Sequence, residues 1–118
     1  TPKALMRSRY SAYALGLADY IIDTTVPGGP HWNPNLAAWR AELLLYCSRT
    51  KFQRLELLDA PPPSTEMPDF GIVHFRAHLR TSEGDATQEE CSTFVKLGRR
   101  WFYKSGTPSV PAGIEKLG

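Results

Sequence analysis

The sequence predicts an α+β domain in which N-terminal helices pack on one face of a strongly bent antiparallel sheet. Apolar residues recur at three-four spacing as far as about Ser48, and the period changes to alternation after Lys51. The clearest alternating run sets Val73, Phe75, Ala77 and Leu79 against His74, Arg76, His78 and Arg80. One apolar and one basic face is the pattern of a sheet covered on a single side. Such a sheet wrapped around a helix makes a cone, and the open mouth of a cone is a common place for a ligand.

The elements follow in order. Thr1 is a good N-cap and Pro2 suits a first helical position, so a helix is expected to Leu15, ended by Gly16 in the left-handed conformation. Met6, Tyr10, Tyr13, Ala14 and Leu17 form its expected buried stripe. A short second helix, Leu17 to Asp23, would turn Leu17, Tyr20, Ile21 and Thr24 inward. Val26-Pro27-Gly28-Gly29-Pro30 then forces a loop. The third helix is placed from about Asn35 to Ser48, capped by Asn33, with Leu36, Trp39, Leu43 and Tyr46 on its apolar face. Strands are expected at Gln53 to Leu58, around Val73 to Arg80, at Thr87 to Leu97 and at Arg99 to Lys104. A proline-rich excursion from Asp59 to Pro68 separates the first two, and Ser82 to Asp85 reads as a turn. Residues 107–118 read as a C-terminal tail.

Composition narrows the function classes. A chain of 118 residues, 42% hydrophobic, fits one domain with a modest core. Its 14 basic and 12 acidic residues leave a net charge of +2, too even to argue for nucleic acid. Lys96, Arg99, Arg100 and Lys104 read as a solvated hairpin. Cys47 and Cys91 stand far apart, without zinc-ligand spacing, and are expected to be reduced and partly buried. No apolar run is long enough to span a bilayer, and a cytoplasmic location, or the plastid stroma in a photosynthetic source, is expected.

The run Ala4-Leu5-Met6-Arg7-Ser8-Arg9-Tyr10-Ser11-Ala12-Tyr13, followed by Gly16 and Asp19-Tyr20, resembles the opening of the central domain of YchJ-like proteins. The likeness continues through Leu55 to Asp59, Gly71 to Ala77 and Glu90 to Val95, and ends with Arg100-Trp101-Phe102-Tyr103. It covers residues 1–106 and implies a nuclear-transport-factor-2-like cone. It implies no activity. Proteins of this kind usually carry a cysteine-rich SEC-C zinc motif beside the domain, and this chain contains none. No metal or cofactor is therefore expected on these residues, zinc being left to flanking SEC-C segments.

Strand parity supplies the candidate pocket. If Phe94 points into the cone, Glu90 and Ser92 do too, and a buried Glu90 needs a partner. Arg9 or Arg7 is the expected one, with Tyr10, Tyr13 and Trp39 as walls. His74 and His78 lie about 13 Å apart on a strand, too far for one metal, and with Arg76 and Arg80 they make an outward row. His31 lies in a Gly/Pro loop, and no catalytic residue is assigned. Two functions follow: a non-catalytic module that binds a protein partner or a second copy through the sheet face, or a small-molecule or enzymatic pocket inside the cone.

Overall fold

The computed structural model describes residues 1–108. Helices α1 (Pro2–Leu15), α2 (Ala18–Asp23) and α3 (Leu36–Arg49) precede strands β1 (Lys51–Asp59), β2 (Phe70–Thr81), β3 (Gly84–Asp85), β4 (Gln88–Leu97) and β5 (Arg100–Pro108). The sheet is antiparallel in the order β1-β2-β4-β5. β3 and β4 keep one register against β2, Arg80 facing Asp85 and Ala77 facing Gln88, so they form one strand interrupted at Ala86 and Thr87. The expected turn at 82–85 is thus shorter, because Gly84 and Asp85 already pair.

Thr1 Oγ1 accepts from the Ala4 amide at 3.1 Å and Pro2 occupies the first turn of α1. At the other end Gly16, at φ 71°, lets its own amide reach Tyr13 O and the Leu17 amide reach Ala12 O, a Schellman closure. The buried face of α1 is Pro2, Met6, Arg9 and Ala12, which corrects the expected stripe. Ala14 and Leu17 are exposed, while Tyr10 and Tyr13 sit half-buried on the flank. An arginine has taken a position that polarity alone assigns to an apolar residue. Likewise α2 buries Ala18, Ile21 and Ile22 and leaves Leu17 and Tyr20 outside.

The α3 cap is Asn35, whose side chain accepts from the Ala38 amide at 3.1 Å. Asn33, the expected cap, instead accepts from the Asn35 amide and shapes the approach. Trp39 and Leu43 face inward, whereas Leu36 and Tyr46 lie on exposed flanks. Asp19 pairs with Arg40 at 2.6 Å and Asp23 with Arg100 at 2.9 Å, so both acids of α2 are held by neighbouring elements.

Register shifts at Phe52/Arg54, Leu57/Asp59 and Thr93/Phe94 are where extra residues bend the sheet. β2 alternates as expected, with Val73, Phe75, Ala77 and Leu79 buried beneath α1. These residues join Met6 and Phe94 in one apolar cluster, and Ala12, Ala18, Ile21, Ile22, Trp39 and Leu43 form a second. Backbone bonds from Val26 to Tyr103 and from Tyr103 to Thr24, both 2.8 Å, fasten the end of α2 to β5. Thr107 and Pro108, which open the expected tail, pair with Cys91 and Glu90; residues 109–118 lie outside the described residues.

Candidate functional site

Between the two apolar clusters lies a cavity of about 460 Å³. Met6, Phe75, Ala77 and Leu79 reach it from one cluster and Ile21, Trp39 and Leu43 from the other. All six expected pocket residues, Arg9, Tyr10, Tyr13, Trp39, Glu90 and Ser92, line it. α1 contributes the first three at helical spacing, α3 contributes Trp39, and β4 contributes the two at strand parity with Phe94.

The expected pairing of Glu90 with Arg7 or Arg9 is overturned. Arg9, 5% exposed, donates from Nη1 to Ile21 O at 3.1 Å, Thr24 Oγ1 at 2.7 Å and Thr25 Oγ1 at 3.3 Å, and its guanidinium also bonds the Tyr13 side chain. Its guanidinium lies 4.5 Å from the centre of the Tyr103 ring. Arg7 is exposed on the other side of α1. The reason is local: the C-terminal end of α2 presents carbonyl and hydroxyl oxygens with partial negative charge, and these capture the nearest cation. Burial holds the Arg9 pKa below its ordinary value, with Tyr13 and Tyr103 opposing that shift.

Glu90 is half-buried, and among the described residues no hydrogen bond or ion pair reaches its carboxyl. Desolvation pushes its pKa above the ordinary carboxylate range, only partly offset by His31. Tyr103 is pushed up to about 12 by burial, with Glu90 adding to the shift. Gly106 explains how these groups converge. A Cβ on Gly106 would stand 2.9 Å from Glu90 Oε2, 2.9 Å from Tyr103 Oη and 3.4 Å from Ser92 Oγ. A glycine there keeps the polar floor clear.

Rings make the walls. Tyr10 meets Phe52 edge to face at 5.7 Å, Tyr13 stacks on Phe52 at 6.1 Å, and Tyr46 stands edge-on to Tyr13 at 5.9 Å. Among the described residues the buried Tyr10 hydroxyl has no hydrogen-bond partner. His31 lies 5.5 Å from the Tyr103 ring. Sequence reasoning missed Tyr103, Tyr46, Phe52 and Thr25 as lining residues. The pairing of Phe94 with Tyr103 was the available signal, hidden by the bulge that shifts parity at that point. His31 was noticed, but a loop offers no periodicity to aim it.

The outward row of β2 is matched by acids from its neighbours. Arg76 meets Glu89 at 2.6 Å and Glu56 at 3.3 Å, His74 meets Glu89 at 3.1 Å and His78 meets Glu56 at 2.9 Å. Bonding to His78, with Arg76 beside it, lowers the Glu56 pKa. Arg80 lies opposite Asp85 in register. Cys47 and Cys91 are both free and partly buried. Among the described residues no three His, Cys, Asp or Glu side chains come together as a metal-holding group, and no helix is long and apolar enough to cross a membrane.

Comparison with known proteins fits this architecture. The family model described as YchJ, middle NTF2-like domain, matches residues 1–106. A UPF0225 protein of Corynebacterium efficiens is 42% identical over 110 residues, spanning 90% of this chain and 72% of the relative. Another UPF0225 protein, of Pectobacterium carotovorum, is 37% identical over 111 residues, covering 89% of this chain and 65% of its own length. Among solved structures, a SEC-C motif containing protein of Rhodopseudomonas palustris superposes with a TM-score of 0.75 at 30% identity, over 93% of this chain and 80% of that one. An uncharacterised protein of Caulobacter vibrioides with a cystatin-like fold, 16% identical, shares the fold alone, with a TM-score of 0.64 over 97% of this chain and 91% of its own. The chain thus belongs to the YchJ family, as its middle nuclear-transport-factor-2-like domain.

Proposed function

We propose that this domain is a ligand-binding module whose cone receives a small molecule. The observation that carries the reading is the cavity between the two apolar clusters, which the ring-bearing walls surround without filling. Its size falls within the range of small-molecule sites, and polar groups converge on it from α1, α3, the loop after α2 and two strands. Binding is favoured over turnover because no nucleophile in the cavity is hydrogen-bonded to a base among the described residues. Two of the similar solved structures are SEC-C motif containing proteins, so in such longer proteins the pocket would work beside a SEC-C segment. Zinc enters the reading only there. A fragment library screened by NMR tests it, against Gln88→Trp, which places an indole at an exposed lining position. Fragments that shift Trp39 in the native chain and not in Gln88→Trp support the reading. A library that leaves Trp39 untouched removes it.

A second reading, docking of a protein partner or a second copy on the outer sheet face, is favoured by the row His74, Arg76, His78 and Arg80 with exposed Ile72 beside it. Glu56 and Glu89 already neutralise much of that row, which lessens its pull on an acidic partner. Light scattering after size exclusion tests self-association. A monomer at high concentration counts against it.

A further inference from the structure

We infer that the cavity takes a small organic acid, a carboxylate on an apolar ring-sized body, seated head-first on Arg9. The inference rests on the ligand-binding reading and adds the chemistry of the ligand. Arg9 is almost wholly buried, yet its hydrogen bonds go to a carbonyl, two threonine hydroxyls and the Tyr13 side chain, none carrying a full negative charge. The end of α2 and the Tyr103 ring offset part of the cation, and a buried charge answered only by dipoles remains costly. The carboxyls lining the cavity are Glu42, on an exposed position of α3, and Glu90, and neither forms an ion pair with Arg9.

The fork of Arg9 suits a planar oxyanion. All three bonds to the end of α2 use Nη1, and the Tyr13 side chain also bonds the guanidinium, so a bound carboxylate would share the donors of Nε and Nη2 with the Tyr13 hydroxyl. A guanidinium engages a carboxylate through two parallel bonds, which a lysine cannot reproduce. Neutral donors accompany it: the Tyr10 hydroxyl, which has no partner among the described residues, with Ser92 and Tyr103 on the floor. Tyr13, Tyr46, Phe52 and Trp39 offer ring faces and edges to the ligand body.

Glu90 supplies a second signature. The groups around its carboxyl are Tyr13 from α1, Tyr46 from α3, His31 from the loop between α2 and α3, and Ser92 and Tyr103 from the sheet. Desolvation already favours its neutral form, and a ligand carboxylate in the same cavity favours it further. Binding should therefore take up a proton and weaken as pH rises through the Glu90 pKa. A cationic ligand would reverse both signs, being drawn to Glu90 and repelled by Arg9.

The test is a titration of the chain with 2-naphthoate, 2-naphthamide and 2-naphthylmethylamine, followed by the indole resonances of Trp32 and Trp39. The acid should bind at least about tenfold more tightly than the amide or the amine, as expected for one charge-assisted bond pair. Arg9→Lys, which keeps the charge and loses the fork, should narrow that preference. Because Arg9 also ties α1 to α2, the acid–amide comparison in the native chain serves as the readout that needs no variant. An amide or amine bound as tightly as the acid overturns the inference and leaves the ligand-binding reading standing. Silence from all three probes overturns the inference, and the reading itself falls only if the wider fragment screen is also silent.

Discussion

Glu90 can be tested without any ligand. Its pKa is raised in the fold, so between the ordinary carboxylate value and the folded value the native state holds a proton that the unfolded chain has lost. Stability contributed by that proton is present at low pH and falls as pH rises through this window. Glu90→Gln should therefore be more stable than the native chain at neutral pH, and the advantage should shrink on acidification below the ordinary carboxylate range. Comparing the two chains isolates Glu90 from Glu56 and Asp85, whose lowered pKa values act in the opposite sense. Melting temperatures measured across pH check it, and a constant difference at all pH values would contradict the assignment. Arg9 makes the opposite case. Arg9→Met removes the donor to the buried Thr24 and Thr25 hydroxyl oxygens, while Ile21 O keeps those hydroxyls as donors, and should cost about 1–3 kcal/mol in urea unfolding. Neither the unpaired state of Glu90 nor the partners of Arg9 were legible in the sequence. Parity aims Glu90 inward and helical spacing brings Arg9 near, but the end of α2, which captures Arg9, comes together only in three dimensions.

Helix ends show which features of an element the sequence carries and which it does not. Thr1, Pro2 and Gly16 announce the limits of α1 because capping and left-handed closure depend on neighbours in the chain. For α3 the sequence reading puts the cap at Asn33, and the chain direction entering the helix gives that role to Asn35 instead. Asn35→Ala should cost about 1 kcal/mol and Asn33→Ala a few tenths, read as shifts of the urea midpoint at constant slope. The rotation of α1 is a different matter. Its buried face is decided by how closely it approaches β2, where Gly71 makes room for Pro2. A Cβ at Gly71 would overlap Pro2 Cγ and Cβ, so no side chain there is compatible with the present seat of the helix. Gly71→Ala should destabilise by about 1–3 kcal/mol, the usual range for overpacking. Adding Pro2→Ala, which removes Cγ, should recover part of that loss, and additive costs in the double-mutant cycle would show that the two residues do not meet. The alternation of β2 needed no such information. Its outer side is left open by the helices, so polarity and direction agree at every position from Val73 to Arg80.

At the scale of the molecule, the division of the core into two clusters ties stability to occupancy. The cluster beneath α1 belongs mainly to β2 and β4, the other to α2 and α3, and the cavity touches both. A ligand in the cone would add contacts to both clusters at once, stabilising the fold by about 2.7 kcal/mol at a concentration one hundred times its dissociation constant. Hydrogen exchange distinguishes this from docking on the outer face. An occupant of the cone, such as 2-naphthoate where it binds, should slow amide exchange in α2, α3 and β4 together, because opening either cluster would release it. A partner on the outer face would protect β1, β2 and β4 around Glu56, Arg76 and Glu89 and leave α2 and α3 unchanged. Protection confined to the strands would therefore move the function from the inside of the cone to its back, and the polar floor above Gly106 would then serve the fold rather than a ligand.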